Sequence, residues 1–332
     1  MKTKTTTDKI NTNSTLYIIE AFCIFLIIEI HACFSFPNQI VTDYLYNFSR
    51  VAVPLYFIIS GYFAWDLDRN KVNNRIKKRF IRNFKLVIIV VVFYVFLNIL
   101  MNGINHLYNS VTFENLVYFF VLNWSTPFCA CGHIWFLLAL LYDYVIMLVI
   151  NRYNLYKAAY YISILILIAV YCIEVITQIF NLPIREIYYR NFLFLGFPLI
   201  MLGNILARYK EKIIKLVKQA EKQIIAVGTI GGTVILFLET MLFKNHLYIY
   251  LGSYIFAILS MVYSIMYPYK GDKHPVLVCS GQKCVKWIYV FHYCIILLLN
   301  KYSIYGNFVF VTVCCISCGY ILISYFISAA KR

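Results

Sequence analysis

Ten long apolar runs constrain this chain more than any other feature of it. They lie near residues 16–36, 51–67, 86–104, 133–150, 158–180, 191–207, 224–243, 247–267, 285–300 and 306–329. The hydrocarbon core of a bilayer is about 30 Å thick, and a helix crosses it in about 20 apolar residues. The second and ninth runs are marginal by that measure. Of the 332 residues, 62% are hydrophobic and only 13% are charged, against roughly 25% charged in an ordinary soluble domain. A soluble fold of this size could not hide that much apolar surface. A soluble globular enzyme, a disordered tail and a fibrous repeat are therefore excluded. The expected fold is all-α, a polytopic membrane protein with about ten transmembrane helices. A further apolar stretch, 111–128, carries Phe113, Tyr118, Phe119, Phe120 and Trp124. Aromatics favour the headgroup zone, which predicts an interfacial or re-entrant helix there. No internal repeat and no Pro/Ser-rich linker divides the sequence, so residues 1–332 read as a single membrane domain.

The formal net charge of +16 is a possible nucleic-acid signal until the positions of the charges are considered. With the N-terminus in the cytoplasm and the runs alternating, 25 of the 30 Lys and Arg residues fall inside. Only Arg50, Arg185, Arg190, Lys244 and Lys301 fall outside. That split follows the positive-inside rule, predicts that both termini are cytoplasmic, and explains the charge without nucleic acid. A basic cytosolic face also favours an anionic bilayer surface. Residues 1–14 read as a short cytosolic tail carrying Lys2, Lys4 and Lys9. The first run lacks a small-residue cleavage site and is followed by more spans, so it reads as an uncleaved anchor. Most of the 11 cysteines sit in apolar runs, where they serve as small hydrophobes. Neither a disulfide framework nor a metal-ligand pattern is visible.

Ionisable groups inside a bilayer are costly, which makes each of them a functional candidate. The first run holds Glu20, Glu29 and His31. Eleven residues at about 100° each bring Glu20 and His31 to nearly the same helix face. Glu29, two positions from His31, points to roughly the opposite side. Asp143, Glu174, Glu239 and His292 lie in later runs, and His133 opens the fourth. On the expected topology His31, His133, Glu174 and Glu239 fall in the outer half. Interhelical hydrogen bonding explains any single one of these about as well as chemistry does. His31 stands out because neutral imidazole is an effective general base near pH 7.

Residues 68–85 form a basic cytosolic loop with eight Lys and Arg residues, more than orientation requires. Arg79 and Arg82 are one helical turn apart and can present two guanidinium forks to a phosphate-bearing ligand. Packing is the simpler role for Pro54 and for Ser60-Gly61, because small residues allow helices to approach closely. Trp135 reads most simply as an interfacial anchor.

Taken in order, these segments resemble the acyltransferase-3 family of integral membrane acyltransferases. The resemblance rests on the helix ending in His31 and on Val53-Pro54-Leu55-Tyr56-Phe57-Ile58-Ile59-Ser60-Gly61. It continues through Arg79-Phe-Ile-Arg82, His133-Ile134-Trp135-Phe136-Leu137 and Ile288-Tyr289-Val290-Phe291-His292. Each motif alone is weak, but their order and spacing are specific. The resemblance implies a ten-helix bundle that takes an acyl group, most simply acetyl, from cytosolic acyl-CoA. The group passes to a hydroxyl of a sugar, polysaccharide or glycolipid bound for the cell surface. In that picture His31 is catalytic, and Arg79 and Arg82 hold the donor. Glu29, Ser60, His133, Trp135, Glu174, Glu239 and His292 are supporting candidates. Acyl-CoA (acetyl-CoA) is a co-substrate, and no tightly bound cofactor or metal is implied. The partners implied are acyl-CoA, the glycan acceptor and the lipid bilayer, with no nucleic acid; the low-Pro, Lys-, Asn- and Ile-rich composition is compatible with a bacterial inner membrane as the location. One position departs from the family pattern: the Arg expected eleven residues before the His is Glu20 here. A glycan or lipid exporter, or a catalytically degenerate relative, remains the alternative at this point.

Overall fold

The computed structural model describes residues 13–243 and 247–330. The expectations about the tail carrying Lys2, Lys4 and Lys9, about Lys244 and about the last two residues lie outside the described residues. The described chain is 84% helical and has no strand. In order the helices are α1 (Ser14–Ala32), α2 (Gln39–Ser49), α3 (Ala52–Ala64), α4 (Arg69–Asn102), α5 (Ile104–Ser110), α6 (Phe113–Leu122), α7 (Thr126–Cys129) and α8 (Trp135–Tyr153). They continue as α9 (Tyr156–Ile179), α10 (Phe197–Arg208), α11 (Lys210–Gln219), α12 (Glu221–Leu242), α13 (Leu251–Met266), α14 (Pro275–Cys279), α15 (Val285–Lys301) and α16 (Asn307–Ala330). Wide π-helical turns, Phe192–Gly196 and Ser280–Cys284, lead into α10 and α15.

Among the described residues, seven helical segments are long and apolar enough to cross a membrane. They are α1, α4, α8, α9, α12, the continuous stretch Pro275–Lys301, and α16. An eighth results if Phe192–Arg208 and Lys210–Gln219, bent by 73°, count as one span. Three of the ten apolar runs fold into shorter helices. The run at 51–67 is helical only over the 13 residues of α3, and α10 and α13 have 12 and 16 residues. At 1.5 Å per residue these reach only about 18–24 Å, short of a straight transit of about 30 Å. The stretch 111–128 is broken into α6, Asn123 in the left-handed conformation, and α7. With 10 residues, α6 is also too short to span.

The basic segment 68–85 is not an irregular loop. Asp68 caps α4, its carboxylate accepting the Asn70 N–H at 2.8 Å. No Gly or Pro then interrupts the helix up to Asn102, and Arg and Lys are strong helix formers. The 34-residue helix is about 51 Å long, so its first turns extend past any bilayer and carry the charge on a rigid stem.

The helices form two compact units. One holds α1, α2, α11, most of α12, and α13 to α16. In it, α1 runs beside α15 in the same direction. A Cβ at Gly281 would overlap the Tyr17 carbonyl, so only glycine lets the turn before α15 touch the backbone of α1. Asn13 and Thr15 tie the start of α1 to the carbonyls of Ser264 and Tyr267. The other unit holds α3 to α10 with the end of α12. Here α4 and α8 pack antiparallel. Asn151 of α8 donates to the Arg69 carbonyl at 3.0 Å and to Asn73 Oδ1 at 2.7 Å. Further along, Asn83 of α4 donates to the Leu137 carbonyl at 2.9 Å. In the same unit α3 and α10 cross at Gly61 and Gly203, where a Cβ on either would run into the Ile200 or Ile58 carbonyl.

Candidate active site

His31 sits in the last turn of α1, one residue before the helix ends. The next residue but one, Cys33, takes a positive φ of 25°, and the chain turns sharply there. Glu29 holds this turn. It is 2% exposed, and both of its carboxylate oxygens accept the Phe34 N–H at 3.2 Å. At the next residue Asn307 of α16 clamps Ser35, accepting its N–H at 2.6 Å and donating to its carbonyl at 2.8 Å. Glu29 therefore serves the backbone that positions His31.

The half-buried His31 ring packs against two rings of α15. His292 lies 5.3 Å away between centroids with a 39° tilt, and Tyr293 lies 5.3 Å away edge-on. His292 is 1% exposed, and its Nδ1 lies 2.8 Å from the Tyr289 carbonyl and 3.2 Å from that of Ile288. Glu20, at the far end of the same helix, is half-buried. Glu239, 4% exposed on α12, accepts the Gly252 N–H at 3.1 Å at the start of α13. The structure thus brings His31 and His292 together and gives Glu29 and Glu239 backbone partners. Tyr293 escaped the sequence reading, although it directly follows His292.

The other candidates belong to the second unit. Arg79 is half-buried on the packed face of α4, its guanidinium carbon 5.8 Å from the Phe63 ring centre. Arg82, one turn on, is exposed. Neighbouring arginines have structural partners. Arg75 pairs with Asp66 at 2.7 Å and donates to the Trp65 carbonyl. Arg69 donates to the carbonyls of Asn151 and Arg152. Arg208 ends α10 with its guanidinium 5.4 Å from the Trp65 ring. Arg79 and Arg82 form no such ion pair among the described residues, which leaves two guanidinium forks for an anionic ligand.

Ser60 is half-buried on α3 next to the Gly61 crossing. His133 is buried with its ring at 75° to Tyr94, 5.2 Å between centroids. Trp135 begins α8 and is buried, packing on Phe57 at 5.9 Å, so it is a core residue of its unit. Arg190 bridges the Trp135 ring, at 5.4 Å, and the Tyr248 ring, at 4.9 Å. Glu174 is fully buried and accepts the Tyr248 N–H. Burial first, then the carboxylates of Glu174 and Glu186, push the nearby Tyr189 phenol upward, with Arg190 opposing. Arg190 and Tyr248 carried no sequence signal beyond an isolated external arginine and an aromatic.

Asp143 is the most anomalous of the embedded acids. It is 1% exposed, and neither carboxylate oxygen has a hydrogen-bond partner among the described residues. It faces Gly196 at the end of the first π turn, where a Cβ would collide with its carboxylate.

The comparisons with known proteins follow the same residues. The acyltransferase-3 family, described as an acyltransferase domain, matches residues 15–329. The chain belongs to that family. Its match takes in α1 with His31, the Gly61 crossing, Arg79 and Arg82 on α4, the start of α8, and His292 on α15. No curated protein and no solved structure matches the chain. The acyltransferase-3 family is one of membrane acyltransferases, which agrees with the seven helices long and apolar enough to cross a membrane among the described residues.

Proposed function

We propose that this acyltransferase-3 protein is an acyl-CoA-dependent O-acyltransferase of a bacterial inner membrane. It moves an acyl group, most simply acetyl, to a hydroxyl of a sugar, polysaccharide or glycolipid destined for the cell surface. The seven long helices together with α3, α10 and α13 make ten membrane-embedded helices, with both termini in the cytoplasm. Arg79 and Arg82 hold phosphates of acyl-CoA by charge-assisted hydrogen bonds. His31 takes the proton from the acceptor hydroxyl as its oxygen attacks the thioester carbonyl. The C–S bond breaks, the new ester forms, and the CoA thiolate leaves to be protonated by the imidazolium. A positioned base of this kind contributes about 10² to 10⁴-fold.

The observation that carries this reading is the placement of His31 within a family match covering nearly the whole chain. It ends a spanning helix on a turn held by Glu29 and Asn307, against two rings of α15. That is the fixed setting a general base needs. The test is acyl transfer in membranes supplied with labelled acetyl-CoA and the host's glycan fraction. His31→Ala is expected to lose about 10²-fold or more in kcat. Arg79→Ala and Arg82→Ala are expected to raise the apparent donor KM about tenfold each, the size of a charge-assisted hydrogen bond. Full activity in His31→Ala removes the base assignment, and an unchanged donor KM removes the phosphate assignment.

A further inference from the structure

A general base must present a lone pair, so the activity of His31 depends on which of its nitrogens carries the proton. Its neighbour on α15 has that choice already made. His292 Nδ1 lies 2.8 Å from the Tyr289 carbonyl and 3.2 Å from the Ile288 carbonyl. A carbonyl oxygen only accepts, so Nδ1 must carry a hydrogen. The neutral ring therefore offers Nε2 as its acceptor.

The framework around the two rings is fixed. Backbone contact between Gly281 and Tyr17 sets the register of α15 against α1. Fourteen residues along α1 and eleven along α15, the two helices reach His31 and His292 side by side. The ring centroids are 5.3 Å apart, and Tyr293 closes a second side of His31 edge-on. At that separation a small rotation of the half-buried ring brings one of its nitrogens to Nε2 of the fully packed His292. Hydrogen bonds of this kind commonly tighten only when substrate is bound.

We infer that His292 is a positioning residue for His31: its Nε2 accepts one ring N–H of His31 in the substrate-loaded enzyme and leaves the other His31 nitrogen as the base. No proton moves to His292 in this scheme. The inference rests on the general-base reading of His31, and the test separates the two.

The experiment uses the full chain with 15N-labelled histidine, reconstituted in lipid vesicles and loaded with CoA and the host's glycan fraction. The imidazole nitrogens are observed by NMR and assigned with His31→Ala and His292→Phe. The wild type is expected to show His292 protonated at Nδ1 alone and His31 in a single tautomer. In His292→Phe, which keeps an aromatic ring of similar size, His31 is expected to become a mixture of tautomers. In the labelled acetyl-CoA assay with the host's glycan fraction, His292→Phe should lose at least tenfold in kcat with an unchanged KM for acetyl-CoA. His292→Gln places an amide oxygen near the former Nε2 and should recover part of that loss. An Nε2-protonated His292 in the wild type overturns the inference without any variant having to fold. So does an unchanged His31 tautomer, or wild-type kcat, in His292→Phe. If His31→Ala is inactive while His292→Phe is fully active, the base reading stands and only the role of His292 falls. If His31→Ala is fully active, both fall.

Discussion

His31 and Asp143 are both ionisable groups in apolar helices, and their surroundings differ in a way that separates their roles. His31 is half-buried, at a helix end, beside rings and a clamped turn. Asp143 is sealed mid-helix with no hydrogen-bond partner among the described residues. A buried carboxyl without partners carries a desolvation cost of about 1–3 kcal/mol that an apolar group of similar shape does not. Asp143→Leu keeps the branching at the γ position. It is expected to raise the thermal midpoint of the detergent-solubilised protein, read by a thermal-shift assay. A fall in the midpoint would mean that the carboxyl holds the α8 region together. For Asn307 the expectation concerns positioning. Asn307→Ala removes both bonds to Ser35 and should lower kcat in the acetyl-CoA assay while leaving the donor KM unchanged. A raised donor KM with unchanged kcat would contradict its assignment to the His31 turn. At this scale the sequence marked His31 and His292 as separate candidates. Their contact was not legible, because it depends on the register of α15 against α1, and that register is set by a glycine contact some eleven residues away. Glu29 was legible as an embedded acid, but its use on the Phe34 N–H follows from a turn that no periodicity announces.

Among the elements, the crossing of α3 and α10 gives the sharpest test of packing. Gly61 and Gly203 each meet a backbone carbonyl of the other helix, which cannot move aside as a flexible side chain can. Gly61→Ala and Gly203→Ala are each expected to destabilise the protein by about 1–3 kcal/mol or more. Gly231 of α12 and Gly319 of α16 have open space where a Cβ would go. Alanine there should be neutral or stabilise by up to about 1 kcal/mol through helix propensity. Folded yield and thermal midpoint of the four variants, compared side by side, decide the point; equal effects at all four positions would contradict it. The reading of Ser60-Gly61 as a packing element was open to the sequence, since small residues in an apolar run point to close helix approach. The extent of α4 was not. Counting charge separates a basic loop from an apolar span, whereas the backbone follows capping and the absence of Gly and Pro, and so runs as one helix from Arg69. The runs at 51–67, 191–207 and 247–267 differ the other way: each is longer as an apolar run than the straight α-helix it contains. Hydropathy counts apolar residues and cannot see where a helix ends or where a π turn interrupts its regular α-helical geometry.

For the whole molecule, the charge distribution and the helix lengths lead to a topology that can be measured. Epitope insertion within 210–222 should be accessible only from the cytoplasmic side, and insertion within 182–186 only from outside. Accessibility of both from one side would break the alternation on which the sidedness rests. The all-helical, multi-spanning character was legible from the apolar runs alone, and family membership from the order of the weak motifs. The division of the helices into two compact units was not, since no linker, repeat or change in composition marks it. Acyl transfer to a surface glycan with His31 as base must leave its mark on the glycan itself. The most direct measurement is mass spectrometry of cell-surface glycans from cells carrying the wild-type gene, the His31→Ala variant, or neither. The predicted result is one acyl mass increment on a defined glycan in the wild type, absent from both other strains while the His31→Ala protein remains in the membrane at wild-type level. Identical glycan masses in all three strains, or a persistent increment in His31→Ala, would contradict it.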